Sequence, residues 1–130
     1  DSAHGGPVGK VINVIRSAWD VVGILGFEPK ALRRYLKNRF RSVRQRYIGG
    51  WQGVANSSDA IITLFKWGGW SAHYVAGIRK KVGKKYKFYN HGLDDYDDKY
   101  ITISKYMRYL KKNECTRLAI MGVKNPRPWW

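Results

Sequence analysis

Apolar residues near the start of the chain recur at intervals of three and four positions, the spacing that one face of an α-helix requires. They run from Val8 to Val22, and Pro7, just before them, suits a first helical turn. Residues 29–47 have the same spacing, and the apolar members of this second stretch are Leu32, Leu36, Phe40, Val43 and Tyr47. The pattern therefore predicts two amphipathic helices at the start of the chain.

A third, shorter helix is predicted after the polar residues 56–59, which can cap its first turn. It would carry Ile61, Ile62, Leu64 and Phe65. The period then changes to two over residues 72–79 and again over residues 86–90, which is typical of β-strands. The lysine-rich residues between these two stretches predict a hairpin turn.

The last part of the chain predicts one more helix and one more strand. Apolar residues at helical spacing run from Ile103 to Leu110, and residues 117–121 form an apolar run that predicts a strand. Helices followed by an antiparallel sheet are the layout of an α+β domain. We therefore expect N-terminal helices packed on a small antiparallel sheet.

The chain has 130 residues, the length of one domain, so we expect residues 1–130 to fold as a single domain. It begins with Asp1 and not with Met, and we expect it to be the mature or C-terminal portion of a longer protein. A single cysteine, Cys115, excludes an internal disulfide and a cysteine-based zinc site, and we expect no metal and no cofactor. No apolar run approaches the roughly 20 residues that span a bilayer.

The charge balance indicates what kind of partner the protein binds. The chain has 25 lysines and arginines but only 9 acidic residues, so its formal net charge is +16. Self-repulsion of this size indicates a polyanionic partner such as nucleic acid or an anionic membrane surface. The cations concentrate on the acid-free side of the second predicted helix and in the hairpin turn. The residues predicted to bind RNA are Arg33, Arg34, Lys37, Arg41, Arg44, Lys80, Lys81, Lys84 and Lys85. Residues 94–98 hold four of the acids and could coordinate a hard cation or pair with the basic surface.

Aromatic residues support a nucleic-acid partner, because six tryptophans and nine tyrosines offer flat faces on which unpaired bases can stack. Tryptophans that border a glycine, a proline or the chain terminus are the ones we expect to be exposed. They are Trp51, Trp67, Trp70, Trp129 and Trp130.

Three short motifs occur in a recognisable order: Gly-Gly-Pro-Val at residues 5–8, Gly-Trp-Ser-Ala-His-Tyr-Val at residues 69–75 and Phe-Tyr-Asn-His-Gly at residues 88–92. Their order and spacing resemble papain-like cysteine peptidases, in particular the bacterial branch that trims double-glycine leaders and the papain-fold domains of bacterial toxins. In that family a Cys-Gly-Pro begins the first helix, a His begins a central strand, and an Asn or Asp follows on the next strand. The resemblance implies a papain-like fold with His73 and Asn90 at catalytic positions.

The nucleophile of that family falls on Gly5, which has no side chain. Cysteine-peptidase chemistry is therefore excluded. Cys115 does not replace the lost thiol, because it is predicted to lie between the last helix and the last strand, where a lone cysteine is usually a small core residue. The resemblance thus implies a papain-like scaffold without its peptidase activity.

The first functional hypothesis is a toxin or effector that acts on RNA, such as tRNA, as a metal-independent ribonuclease. RNA supplies its own nucleophile, the 2′-hydroxyl group, so the missing thiol is no obstacle. Cleavage needs a general base, a general acid and a cation near the phosphate, roles for His73, His4 and a nearby Lys or Arg. Asn90 would orient the imidazole. The alternatives are a structural histidine at position 73 and a frayed terminal residue at position 4.

Two other hypotheses stay open. One is a pseudo-peptidase that binds a peptide, an acidic immunity protein or another anionic surface without doing chemistry. The other is a cationic antibacterial protein that acts on membranes, for which the basic helix has the required amphipathic form. As a toxin, the protein would be secreted or delivered into a target cell, act in the cytoplasm, and meet an immunity protein or a host translation factor there.

Overall fold

The computed structural model describes residues 29–67, 71–80, 83–89 and 99–128. These ranges contain three helices and six strands: α1 (Pro29–Lys37), β1 (Phe40–Arg46), α2 (Trp51–Asn56), β2 (Ala60–Trp67), β3 (Ser71–Arg79), β4 (Lys85–Tyr89), β5 (Ile101–Thr102), α3 (Ile103–Lys112) and β6 (Cys115–Pro126). The strands form one antiparallel sheet in the order β1-β6-β2-β3-β4-β5. The predicted α+β class is therefore confirmed. The helix predicted over residues 8–22 lies outside the described residues.

The sheet has a hydrophobic core on each of its two faces, because successive residues of a strand point to opposite sides. On one face, Leu36 of α1 belongs to the same buried cluster as Ile62 of β2. On the other face, Trp51 of α2 and Tyr106 of α3 are buried with Ile61 of β2. The sheet therefore lies between α1 on one side and α2 with α3 on the other.

The second predicted helix is wrong in its second half. Helix α1 ends at Lys37, and the backbone N–H of Arg39 donates to the Leu36 carbonyl at 2.9 Å in the turn that follows. Residues 40–46 then form β1, in which Val43 lies opposite Val123 of β6. The apolar spacing in this segment fits a helix locally, but hydrogen bonds to a strand far along the chain decide its conformation.

The third predicted helix is also wrong, because its apolar residues form β2 in the middle of the sheet. Both faces of β2 are buried, so residues 60–65 are apolar at every position except Thr63. Periodicity alone does not separate such a run from a buried helix. The polar residues 56–59 end a helix instead of starting one. Ser58 Oγ donates to the Val54 carbonyl of α2 at 2.7 Å.

The other predicted elements are confirmed. Strands β3 and β4 form the antiparallel hairpin. Helix α3 begins at Ile103, where Thr102 Oγ1 accepts the backbone N–H of Lys105 at 3.2 Å and caps the first turn. Strand β6 is longer than the predicted residues 117–121, because its last residues pair with β1 as far as Pro126.

Helix α2 lies directly on β6 at Gly122. A Cβ atom at this position would be 2.8 Å from Cγ1 of Val54, which is closer than a side chain tolerates. At a second point, the hydroxyl of Tyr86 in β4 donates to the carbonyl of Ala55 in α2. Helix α2 is therefore fixed to the sheet at two points.

Helix α3 is attached through a buried hydrogen bond to the central strand. Oγ1 of Thr63 and the hydroxyl oxygen of Tyr106 are 2.8 Å apart, and both residues have no exposed surface. The ring of Phe88 stacks on Tyr106 with centroids 3.9 Å apart. Burial raises the pKa of Tyr106, so its hydroxyl keeps its proton at neutral pH.

Candidate nucleic-acid interface

Helix α1 presents four exposed cations on one side: Lys30, Arg33, Arg34 and Lys37. Their spacing of three and four residues keeps them on one side of the helix, away from Leu32 and Leu36, which are 4% and 0% exposed. We call these four residues the α1 stripe. It contains three of the residues that the sequence predicted to bind RNA.

Two further predicted RNA-binding residues, Arg41 and Arg44, were expected on the same helix but lie in β1 at the edge of the sheet. Arg44 Nη1 donates to Ser57 Oγ at 3.2 Å, so Arg44 lies on the side of α2. Arg41 lies on the opposite side, because it is two positions from Val43, which packs against the core beneath α1. The cations of β1 are therefore divided between the two faces of the sheet.

The predicted lysines of the hairpin turn are exposed where the structure describes them, at Lys80, Lys84 and Lys85. The backbone N–H of Lys80 donates to the Lys85 carbonyl at 2.8 Å and holds the turn between β3 and β4. Lys81 lies outside the described residues. The ammonium group of Lys80 is 5.6 Å from the ring centroid of Tyr100, which is itself exposed.

The strand register places this turn at the same end of the sheet as the C-terminal end of α1. Ile78 pairs with Ala60, Ala60 with Val123, and Val123 with Val43, so these residues form one row across four strands. The turn after β3, the end of β6 and the start of β1 follow on the same side of that row. We call this the basic end of the sheet. Its cations are Lys37, Lys80, Lys84, Lys85, Lys124 and Arg127.

Two arginines near the basic end serve the structure of α1. Nε and Nη2 of Arg127 donate to the Lys37 carbonyl at 3.3 and 3.1 Å. Arg39 Nη1 donates to the Tyr35 carbonyl at 3.1 Å, and its guanidinium carbon lies 3.4 Å from the Tyr35 ring centroid. Positive charge at the C-terminal end of a helix stabilises its free carbonyl groups. These arginines therefore have a structural role.

The exposed aromatic residue at the other end of β1 is a tyrosine and not the predicted tryptophan. Trp51 is only 1% exposed, and its indole Nε1 donates to the Tyr47 carbonyl at 2.5 Å. Tyr47 and Ile48 are 65% and 62% exposed and directly follow Arg46. The expectation for Trp51 is therefore wrong, and the other tryptophan side chains of that group lie outside the described part of the chain.

Of the three predicted catalytic residues, His73 is the one whose backbone the structure describes. It lies in β3 opposite Phe65 of β2, and Arg117 of β6 pairs with Phe65 from the other side. His73 and Arg117 are thus in one row of the sheet, at the end opposite the basic end. His4 and Asn90 lie outside the described residues, so their arrangement around His73 stays a prediction.

A pocket of about 410 Å³ opens between α3 and the start of β6. Its lining residues are Ser104, Met107, Arg108 and Lys111 of α3 with Cys115 and Arg117 of β6. The four helix positions follow the spacing of one helix face, and three of the six lining residues are cationic while none is acidic. Sequence reasoning missed this pocket, although the two cations Arg108 and Lys111, three residues apart on α3, were a usable signal.

Arg117 is the half-buried cation of the pocket, whereas Arg108 and Lys111 are exposed. Its Nη1 lies 2.8 Å from the Met107 sulfur, and its guanidinium carbon lies 5.1 Å from the ring centroid of Trp51. A thioether is a weak acceptor and an indole ring accepts no conventional hydrogen bond. The half-buried guanidinium is therefore held in place by groups that leave its capacity for binding an anion largely unused.

Cys115 contributes a protonated thiol to the same pocket. Glu114 before it has a φ of 59°, in the left-handed region, where the chain turns from α3 into β6. Burial raises the pKa of the Cys115 thiol, and its sulfur lies 3.6 Å from the Asn113 carbonyl as a weak donor. A thiol with a raised pKa is a poor nucleophile at neutral pH.

The described ranges contain neither a cluster of metal-ligating side chains nor a helix that could span a membrane. No group of three or more His, Cys, Asp or Glu side chains there could hold a metal ion, and the acidic residues 94–98 lie outside those ranges. None of the described helices has the length and apolar character that crossing a membrane requires. In comparisons with known proteins, no family model, no curated protein and no solved structure matches this chain.

Proposed function

We propose that this domain binds RNA through its cationic surface. One observation carries the proposal: within the described ranges the only acidic residues are Asp59 and Glu114, whereas exposed cations line α1, both faces of β1 and the turn after β3. Two carboxylates do not neutralise so many cations, so the cations repel one another in the folded state. A flexible polyanion that follows the surface would relieve it and release bound counterions.

The geometry of α1 favours RNA over a membrane as the anionic partner. A membrane-active helix inserts its apolar side into the lipid. In α1 that side is occupied, because Leu32 and Leu36 are buried against the sheet. The α1 stripe therefore offers charge without an apolar anchor. The exposed ring of Tyr47 beside Arg46 adds a face on which an unpaired base can stack.

The finer part of the proposal is that the domain cleaves RNA without a metal ion. His73 would remove the proton from a ribose 2′-hydroxyl, whose oxygen then attacks the adjacent phosphorus. The bond from phosphorus to the 5′-oxygen breaks, the 5′-oxygen takes a proton from a general acid, and a 2′,3′-cyclic phosphate remains. His4 is the candidate acid and Asn90 the residue that orients His73. The position of His73 in one row with Arg117 supports this proposal, because a cation near the phosphate stabilises the developing charge.

A papain-like scaffold, a toxin or effector role and delivery into a target cell belong to the same proposal. The α+β class and the place of His73 in a strand followed directly by its hairpin partner β4 support the scaffold only. The toxin role and the delivery rest on the resemblance of the sequence motifs. An acidic immunity protein or a translation factor would then compete for, or extend, the cationic surface.

Binding and cleavage are tested separately. Fluorescence anisotropy with a labelled single-stranded RNA measures binding for the parent, for Arg33→Ala with Arg34→Ala in the α1 stripe, and for a control with Lys99→Ala and Lys112→Ala. The control removes the same charge from exposed positions outside the stripe. We expect weaker binding in the stripe variant than in the control. Equal losses in both variants, or no binding by the parent, would overturn the proposed interface.

Cleavage is tested by incubating the parent and His73→Ala with total cellular RNA in the presence of EDTA, followed by a denaturing gel. Discrete products from the parent that disappear in the variant support a metal-independent ribonuclease. Intact RNA in every lane, combined with binding in the first experiment, makes the domain an RNA-binding module without chemistry, as expected for a pseudo-peptidase.

A further inference from the structure

The pocket between α3 and β6 lies outside the residues that the sequence predicted to bind RNA, and its lining has a chemistry of its own. Arg108, Lys111 and Arg117 place three cations around a volume of about 410 Å³. That volume lies in the range of small-ligand pockets. The remaining lining residues are a serine, a methionine and a cysteine, so the wall combines cations, one hydroxyl group and softer apolar surface.

Arg117 shows what kind of ligand fits. Its guanidinium is half-buried and contacts the Met107 sulfur at 2.8 Å and the Trp51 ring at 5.1 Å. A buried cation is normally paired with an anion, because loss of water is costly for a charge. Arginine also matches the oxygen geometry of phosphate with two parallel hydrogen bonds. The described contacts of Arg117 include no anion. A phosphate group would supply one.

The other groups converge on the same ligand. Arg108 and Lys111 are exposed on adjacent positions of the α3 face and can reach a second phosphate oxygen. Ser104 lies at the N-terminal end of that face, where its Oγ accepts from Gln52 Nε2 at 3.2 Å and keeps its own proton for donation. Met107 and Cys115 supply an apolar wall against which a flat ring system can lie.

We propose that this pocket binds the phosphate group of a nucleotide, with Arg117, Arg108 and Lys111 on the phosphate oxygens and the ring system against Met107 and Cys115. The source of the phosphate is either a nucleotide unit of bound RNA or a free nucleotide. The first source rests on the proposed function, whereas the pocket itself does not.

The chain provides its own reporter for occupancy, because Cys115 is its single cysteine and lines the pocket. A bound ligand shields the sulfur, so the rate at which a neutral reagent such as N-ethylmaleimide modifies Cys115 measures the free fraction of the site. Mildly alkaline pH supplies enough thiolate for the reaction. A ligand concentration of about ten times Kd leaves roughly one site in eleven free, so we expect the rate to fall about tenfold.

The probes are inorganic phosphate, adenosine monophosphate and a short single-stranded RNA. The test variant is Lys111→Gln, and the matched control is Lys112→Gln, the next residue of α3, which is also exposed but is not among the lining residues. We expect Lys111→Gln to weaken protection by adenosine monophosphate by about three- to tenfold and Lys112→Gln to leave it unchanged. Arg117→Gln should weaken it further, and circular dichroism checks that this variant, which loses a contact with Trp51, stays folded.

The outcomes separate the pocket from the proposed function. Protection by adenosine monophosphate that is lost in Lys111→Gln supports the pocket, and protection by RNA as well makes a nucleotide unit of RNA the ligand. RNA that binds the α1 stripe but leaves Cys115 fully reactive overturns RNA as the source and leaves the proposed function intact. No protection by any probe, or equal protection in Lys111→Gln and Lys112→Gln, overturns the pocket.

Discussion

His73 and Arg117 are cross-strand partners of the same residue, Phe65, from the two sides of β2. Paired residues of antiparallel strands have Cα atoms about 5 Å apart, so the two backbones are separated by roughly 10 Å. The sheet therefore places the candidate base and the half-buried cation of the pocket in one row at the same end of the sheet.

This relationship predicts that the two residues affect RNA cleavage differently. Loss of a general base lowers the rate by about 10²- to 10⁴-fold, so we expect an effect of this size for His73→Ala with little change in RNA affinity. Arg117→Gln should lower both the rate and the affinity, because a phosphate contact is lost. The measurement is single-turnover cleavage of a labelled RNA.

The histidine at position 91 is the control for this experiment, since no role is assigned to it. His91→Ala should cleave like the parent. If His91→Ala and His73→Ala lost activity equally, the assignment of His73 as the base would fail.

The α1 stripe predicts a specific change in the salt dependence of RNA binding. For single-stranded nucleic acid, each phosphate contact contributes about −0.7 to the slope of log K against log salt concentration. Replacing Arg33 and Arg34 by alanine should therefore make the slope less negative by up to about 1.4. The control variant with Lys99→Ala and Lys112→Ala should keep the parental slope. A parental slope in the stripe variant would mean that α1 does not contact phosphates.

Gly122 predicts a steric limit on side chains beneath α2. The Cβ atom of Gly122→Ala would lie 2.8 Å from Cγ1 of Val54, so α2 would have to move. We expect the free energy of unfolding to fall by about 1–3 kcal/mol in urea titrations. Gly53→Ala in α2 itself is the matched control, because nothing lies within 4 Å of its added Cβ atom. Alanine in a helix should raise the stability there by about 0.5–1 kcal/mol.

The buried pair of Thr63 and Tyr106 predicts a cost for removing one hydroxyl group. Thr63→Val keeps the shape of the side chain but leaves the hydroxyl of Tyr106 without this partner. We expect a loss of about 1–3 kcal/mol in the free energy of unfolding. Thr63→Ser keeps the hydroxyl and should recover part of that loss. Equal stability of Thr63→Val and the parent would show that the hydrogen bond contributes nothing net.

Buried tyrosines predict lower stability at alkaline pH. Burial raises the pKa of Tyr74 from 10.0 to about 12 and also raises that of Tyr106. The folded state then holds these protons more tightly than the unfolded state does. The resulting stability is fully present below pH 10.0 and is lost as the pH rises through the folded pKa values, by up to about 1.4 kcal/mol per pH unit and tyrosine.

Urea unfolding at a series of alkaline pH values measures this dependence. Tyr106→Phe removes one of the buried tyrosines with a raised pKa and should make the decline shallower. A decline with the parental slope in Tyr106→Phe would assign the alkaline instability to other groups.

Helix α3 and the β3–β4 hairpin could be predicted from the sequence, because their patterns agree with their tertiary surroundings. Thr102 caps α3, and its apolar residues face the sheet on one side only. In the hairpin a period of two is joined by a short polar turn. In both elements, the fold buries residues that the local pattern predicts to be buried.

Strands β1 and β2 could not be predicted in this way. In β1 the interval from Phe40 to Val43 fits a helix, and only the hydrogen bonds to β6 make it a strand. Strand β2 is buried on both faces, so its sequence lacks the alternation that identifies a half-buried strand. The information that decides these two elements lies in a partner strand far along the chain.

Some features of the candidate sites follow from the local sequence, and others only from the tertiary structure. Composition and local pattern determined that the protein is strongly basic, that α1 has a cationic side, and that Gly5 carries no nucleophile. The tertiary structure decided that Arg41 and Arg44 lie on opposite faces of an edge strand, that the hairpin lysines share one end of the sheet with Lys37, and that Arg117 lies in a pocket with Cys115. Charge and amphipathic spacing are properties of the local chain, whereas a pocket and a shared surface exist only after strands distant in sequence have been paired.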